Sequence, residues 1–327
     1  MNNRFKTIGS SIFFLLVGVL CIYFSLKNQD FKALSQSIRS VHYIWYIPVL
    51  ICTLFCHYFR TKRWQLLLEV QSYKLPTLDV YNALMSAYLV NFVTGKLGEF
   101  YRCGVLFKKN QVPFSFSLAT VVIERIIDVL SLFTLFILSI FLFHDSVYHF
   151  IQQFISPILF NLSTHRIYIY ILIVLILIIW ILIVFYRKSI RQFLETKLKN
   201  FTDGLISIIK LKAKKTFLMY TILIWLMYLG MTYFWFFAFT DAHLSIQTAL
   251  LVIVLGGIGR SLPIPAHGLG AYHICASFAL TACLVQATES LSIPIVIHAG
   301  QTLFYLIFGS LSMVYIGINT ISFKNED

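Results

Sequence analysis

Glu124, Arg125 and Asp128 stand inside an apolar run from about 117 to 143, where an ionised side chain is costly and must be paired or put to use. Helical spacing sets Arg125 and Asp128 at i,i+3 and Glu124 and Asp128 at i,i+4, so the three gather near one face. Glu99 and Arg102 repeat the i,i+3 pairing just after Gly98, and Arg260 stands beside Gly256, Gly257, Gly259, Pro263, Pro265, Gly268 and Gly270. Arg102, Arg125 and Arg260, in or next to interrupted helices and with few carboxylates nearby, suit an anionic headgroup. A guanidinium meets phosphate with a planar fork that Lys lacks. Freed N–H groups at the starts of half-helices would add to that attraction. Two plainer readings stay open: the 124–128 triad as a structural pin, and Arg102 as a side chain that snorkels to the interface.

His267, His273 and His298 are acid–base candidates, because an unperturbed imidazole titrates near neutrality, although most membrane histidines are hydrogen-bonded helix glue. His298 and Gln301, at i,i+3, are the more purposeful pair. Arg60, Arg63 and Trp64 close an apolar span and read as interface anchors, with recruitment of anionic lipid as the second reading. The six cysteines form no CxxC pair and sit mostly in apolar runs, so they read as core packing; no metal and no cofactor is expected.

The elements that position these residues are membrane helices. The chain is 59% hydrophobic and 12% charged, roughly half the charged share of a soluble domain. Apolar spans run from about 7 to 26, 44 to 59, 117 to 143, 167 to 185, 217 to 239 and 291 to 318. The first has no small-x-small cleavage site and reads as a retained helix rather than a signal peptide. Two further regions are interrupted. Residues 78–94 carry Asn82, Ser86 and Asn91 and end in Thr94-Gly95-Lys96-Leu97-Gly98, and residues 244–287 carry the Gly/Pro breakers around Arg260. Irregular backbone at membrane depth survives only where protein or water satisfies it, so both are expected to be broken or re-entrant helices.

A net charge of +13 is explained by cytoplasmic loops rather than by nucleic acid. Residues 60–116 hold eight Lys and Arg and the 187–215 loop nine, against four in 27–43 and 144–166 together. This places both termini in the cytoplasm. The order helix, helix, broken element, helix occurs twice in opposite orientation, the pattern of an inverted repeat with halves 1–145 and 160–327 in a single transmembrane domain, 1–327. The expected fold is therefore an all-α polytopic membrane protein with six spanning helices and two broken elements.

Arg60-x-x-Arg63-Trp64, Asn91 followed by Gly98-Glu99-x-x-Arg102, Glu124-Arg125-x-x-Asp128, and Leu262-Pro263-Ile264-Pro265-x-x-Gly268-Leu269-Gly270 together resemble the flippase-like family of the lysylphosphatidylglycerol synthase membrane region and its stand-alone relatives. Where that family often has Gly-Gly before Leu-Gly and a Glu three residues on, this chain has His267-Gly268 and His273; some relatives carry Tyr-His with a later His-x-x-Gln, as in Tyr272-His273 and His298-x-x-Gln301. The resemblance implies movement of a lipid or lipid-linked molecule between the leaflets of the cytoplasmic membrane. The expected substrate-binding residues are Asn91, Glu99, Arg102, Glu124, Arg125, Asp128, Arg260, His273, His298 and Gln301, with Gly98, Pro263, Pro265, Gly268 and Gly270 permitting the breaks. Two rival readings are a membrane component of a lipid-modifying transferase, as in phosphatidylglycerol aminoacylation with a soluble or membrane-associated partner enzyme, and a non-catalytic scaffold. No GxxxxGK[ST] motif is present to supply energy from a nucleotide.

Overall fold

The computed structural model describes residues 31–142, 199–239 and 244–324, and every regular element among them is helical. The helices are α1 (Phe31–Arg39), α2 (Tyr46–Leu68), α3 (Thr77–Thr94), α4 (Gly98–Asn110), α5 (Phe114–Leu142), α6 (Lys199–Lys210), α7 (Lys214–Phe236), α8 (Ile246–Ser261), α9 (Ala271–Ala282) and α10 (Ala287–Lys324). Among the described residues, three stretches are long and apolar enough to cross a membrane: Tyr43–Gln71, Lys214–Phe236 and Ala287–Ile318. The expected spans 7–26 and 167–185, and the junction between the expected repeat halves, lie outside the described residues.

Each long helix shows lipid one face and protein the other. On α5, Ile126, Val129, Leu130, Phe133 and Ile137 are exposed, while Phe116, Val121, Ile123 and Glu124, nearer its start, are buried. The largest core is built where α2, α7, α8, α9 and α10 meet, around Cys56, Ile224, Trp235, Tyr272, Ala276 and Ile293. Gly300 admits Trp235 there, since a Cβ on it would come within 2.7 Å of the indole, and the Tyr46 hydroxyl donates to the Gly300 carbonyl.

Both interrupted regions fold as two helices around a break. In the first, α3 ends at Thr94 and α4 starts at Gly98, with Gly95 at φ +79°. Asn91 secures the turn by accepting the Gly98 N–H on Oδ1 at 2.8 Å. A Cβ at Gly98 would collide with the Ala87 carbonyl oxygen, so α3 and α4 pack with their backbones touching. In the second, α8 and α9 pack through Gly259, whose Cβ would stand 2.7 Å from the Ala271 carbonyl oxygen. Between them Ala266, His267 and Gly268 are all left-handed, at φ +50°, +56° and +84°. Left-handed backbone costs a residue with a Cβ about 1–2 kcal/mol, so surrounding contacts must hold Ala266 and His267 in place.

One boundary differs from the sequence reading. The second span does not stop at residue 59 but runs to Leu68, carrying Arg60 and Arg63 into the protein at 6% and 0% exposed. They are not interface anchors. Carboxylates on α5 satisfy them, which the residue types of α2 alone do not announce.

Candidate functional site

α5 turns Glu124 and Asp128 toward the arginines of α2 and α4. Asp128 takes Arg63 at 2.7 Å, Arg125 at 3.1 Å and Arg60 at 3.2 Å. Glu124, 1% exposed, lies 2.9 Å from Arg102 and 3.6 Å from Arg63. Glu99 pairs with Arg102 at 2.7 Å and reaches Arg125 at 3.8 Å. The Arg102 Nη2 is at ion-pair distance from both carboxylates but out of line for a hydrogen bond, so its attraction is mainly Coulombic. The Arg102 guanidinium lies over the Trp64 ring at 4.3 Å, and Trp64 Nε1 donates to Thr120 Oγ1. Arg60 donates from Nε to the Tyr228 hydroxyl at 3.0 Å, tying the cluster to α7.

The two plainer readings of these residues resolve differently. Arg102 is 1% exposed and does not snorkel. The 124–128 triad does pin α5 to α2 and α4, while Arg125, with 41% of its side chain exposed, is the arginine of the network that remains open. Four arginines face three carboxylates, so the network keeps one positive charge.

Next to it the two breaks touch. Lys96, from the first, donates to the Arg260 carbonyl at 3.1 Å, and a Cβ on Gly95 would stand 2.8 Å from the Pro263 carbonyl oxygen. Arg260 stacks on the Tyr272 ring at 3.9 Å, keeps a buried Nε without a partner, and makes no ion pair among the described residues. Lys96 is within electrostatic reach of Arg125 and Arg60 and of the Glu99 carboxylate. The meeting point of the breaks thus adds two further cations, neither in an ion pair among the described residues, and a surplus of one sign in a low-dielectric cleft attracts the opposite charge.

The second break is clasped by imidazoles. His273, 8% exposed, accepts the Gly270 N–H on Nδ1 at 3.1 Å. His298 Nε2 lies 2.9 Å from the Ala266 carbonyl, and the two rings are 4.8 Å apart. His267 stacks on Tyr305 at 4.4 Å, with Tyr88 and Phe92 close by, and neither of its ring nitrogens has a partner. His57 from α2 joins the same group against Tyr88, Phe304 and Tyr305. Pro265 and Gly268 are buried in the left-handed turn, Pro263 is exposed at the contact with Gly95, and part-buried Gln301 follows His298 on α10.

The expected residues therefore form two adjoining groups: Glu99, Arg102, Glu124, Arg125 and Asp128 in the ion network, and Arg260, His273 and His298 around the second break. Asn91 secures the first break. Sequence reasoning passed over Lys96, Tyr228, Tyr88, Tyr305, His57 and the pairing of Arg60 and Arg63. A signal for the last existed: arginines at i,i+3 on one helix complement carboxylates at i,i+4 on another.

A family model described as the lysylphosphatidylglycerol synthase TM region matches residues 11–309. Comparison with curated proteins gives no match, and comparison with solved structures gives none either.

Proposed function

We propose that this chain, which belongs to the lysylphosphatidylglycerol synthase transmembrane-region family, moves a lipid or lipid-linked molecule between leaflets by admitting its anionic headgroup where the two breaks meet. The observation that carries this reading is the contact of the breaks: Lys96 bridges them, within electrostatic reach of Arg125, Arg260 follows on the second, and neither Lys96 nor Arg260 makes an ion pair among the described residues. A guanidinium and an ammonium at membrane depth without ion-pair partners of their own call for an anion from elsewhere. Acyl chains would remain in lipid, beside exposed apolar faces such as Ile126, Val129 and Phe133.

In this reading Arg125 and Arg260 fork onto phosphate and Lys96 adds a point charge. Glu99 and Asp128 hold Arg125 in the empty site and yield it to the headgroup. Arg102, locked between Glu99 and Glu124, is a positioning residue. Asn91, Gly98, Pro263, Pro265, Gly268 and Gly270 keep the breaks in shape, and His273, His298 and Gln301 support the second from behind. The protein would sit in the cytoplasmic membrane with both termini inside, its halves rocking about the shared site.

Proteoliposomes holding tail-labelled lipids test this through headgroup accessibility. Arg125→Lys with Arg260→Lys keeps the charge but loses the fork, and should slow phosphate-headgroup lipids by about tenfold or more. An unchanged rate for every lipid in the panel would refute the headgroup site. A transferase reading draws on the family's description as a synthase region; a modified lipid formed by purified protein and lipid alone, with no transbilayer movement, would decide for it.

A further inference from the structure

We infer that one proton travels with the headgroup, carried on His298 Nδ1 beside the second break. This rests on the headgroup reading above and supplies what that reading lacks, a source of energy.

The nitrogen follows from the hydrogen bonds. A carbonyl oxygen only accepts, so His298 Nε2, 2.9 Å from the Ala266 oxygen, carries a hydrogen and donates it. The neutral ring then has its lone pair on Nδ1. His273 is arranged the other way: its Nδ1 lone pair is taken by the Gly270 N–H, so a proton could enter there only by breaking the cap at the start of α9. Of the two facing imidazoles, His298 is the one that takes a proton without losing a bond. His267 has unpartnered nitrogens too, but its ring stacks on Tyr305 and holds no part of the clasp.

The surroundings set the coupling. Arg260 of α8 and His267 of the turn act electrostatically on His298, and Tyr272 of α9 stacks on it; behind His267 stand Lys96 between α3 and α4, Tyr88 of α3, Tyr305 of α10 and His57 of α2, itself reached by Arg60. Arg260 makes no ion pair among the described residues, and its charge reaches both rings. A second cation beside it is repelled until an anion lies between them. Anion and proton therefore favour each other's binding, and reciprocity requires that each raise the affinity for the other by the same factor. The proton comes from water on the side where the headgroup enters and returns to water where it leaves; no covalent bond of the lipid is touched.

The same group also governs the strained turn. His298 holds the carbonyl of left-handed Ala266, so a change of charge on that ring acts on the segment where the breaks meet.

The test uses purified full-length protein in detergent and a short-chain phosphatidylglycerol, whose phosphodiester does not titrate between about pH 5.5 and 8.5. Binding should tighten as pH falls, approaching tenfold per pH unit, with about one proton taken up per lipid bound in weakly buffered solution. His298→Gln keeps a donor for the Ala266 carbonyl and removes the proton acceptor; its affinity should stay at the weak, high-pH value throughout, with no proton uptake. His267→Gln should retain the pH slope. Wild-type binding that is independent of pH overturns the proton linkage and leaves the headgroup site standing. A slope lost in His267→Gln and kept in His298→Gln overturns the assignment to His298. Absence of binding at every pH, for this lipid and for others with phosphate headgroups, overturns the headgroup reading itself.

Discussion

Asp128→Asn removes the one carboxylate that three arginines share. Arg63 is then left with Glu124 at 3.6 Å, Arg125 with Glu99 at 3.8 Å, and Arg60 with the Tyr228 hydroxyl at 3.0 Å. Arg63 is fully buried and cannot turn to water. Removing one member of a buried pair leaves an uncompensated charge, at a cost of about 3–5 kcal/mol. The 14% exposure of the Asp128 side chain argues for the lower end. For a chain of this size that corresponds to a drop of roughly 4 °C in the melting temperature, readable by fluorescence-detected gel filtration of heated detergent extracts. The partner decides the reasoning. Adding Arg63→Gln, which removes the stranded charge, should restore more than half of the loss, whereas adding Arg125→Gln should restore little, because Arg125 is 41% exposed and keeps Glu99 at 3.8 Å. If Arg125→Gln rescues as well as Arg63→Gln, or neither double mutant differs from Asp128→Asn, the charges are not coupled as their distances indicate.

Gly98→Ala should destabilise strongly, by about 3 kcal/mol or more, since its Cβ meets the Ala87 carbonyl and the Asn91 amide; Gly104→Ala, with nothing within 4 Å of its Cβ, should be neutral or stabilising by up to about 1 kcal/mol in the same melting assay. Trp64→Phe loses the Nε1–H bond to Thr120 and weakens the face under Arg102, and should cost about 1–3 kcal/mol. Cysteine introduced at position 200 in a cysteine-free background should react with a membrane-impermeant maleimide only after the cells are opened; labelling in intact cells would reverse the orientation drawn from the Lys and Arg counts.

The membrane class and the location of the breaks were legible because both depend on composition over ten or more residues. Gly95 and the run from Leu262 to Gly270 are breakers in any context, and the helices stop at them. What lay hidden was pairing. Arg60, Arg63 and Trp64 at the end of an apolar span have the composition of an interface anchor. Their burial depends on carboxylates about 60 residues further along, on a helix whose rotation about its axis no local pattern fixes. The same dependence separates Arg102 from Arg125. Both are arginines three residues from an acid, yet Arg102 is enclosed by Glu99, Glu124 and Trp64 while Arg125 opens outward. Lys96 went unnoticed for a related reason: as a lysine in a glycine turn it resembles any loop cation, and only the approach of the second break, 164 residues away, makes it part of a site. The charges inside the membrane thus sort by what the fold places opposite them. Those in ion pairs fasten α2, α4 and α5 together; Lys96 and Arg260 form none among the described residues, and the proposed headgroup site is built on them.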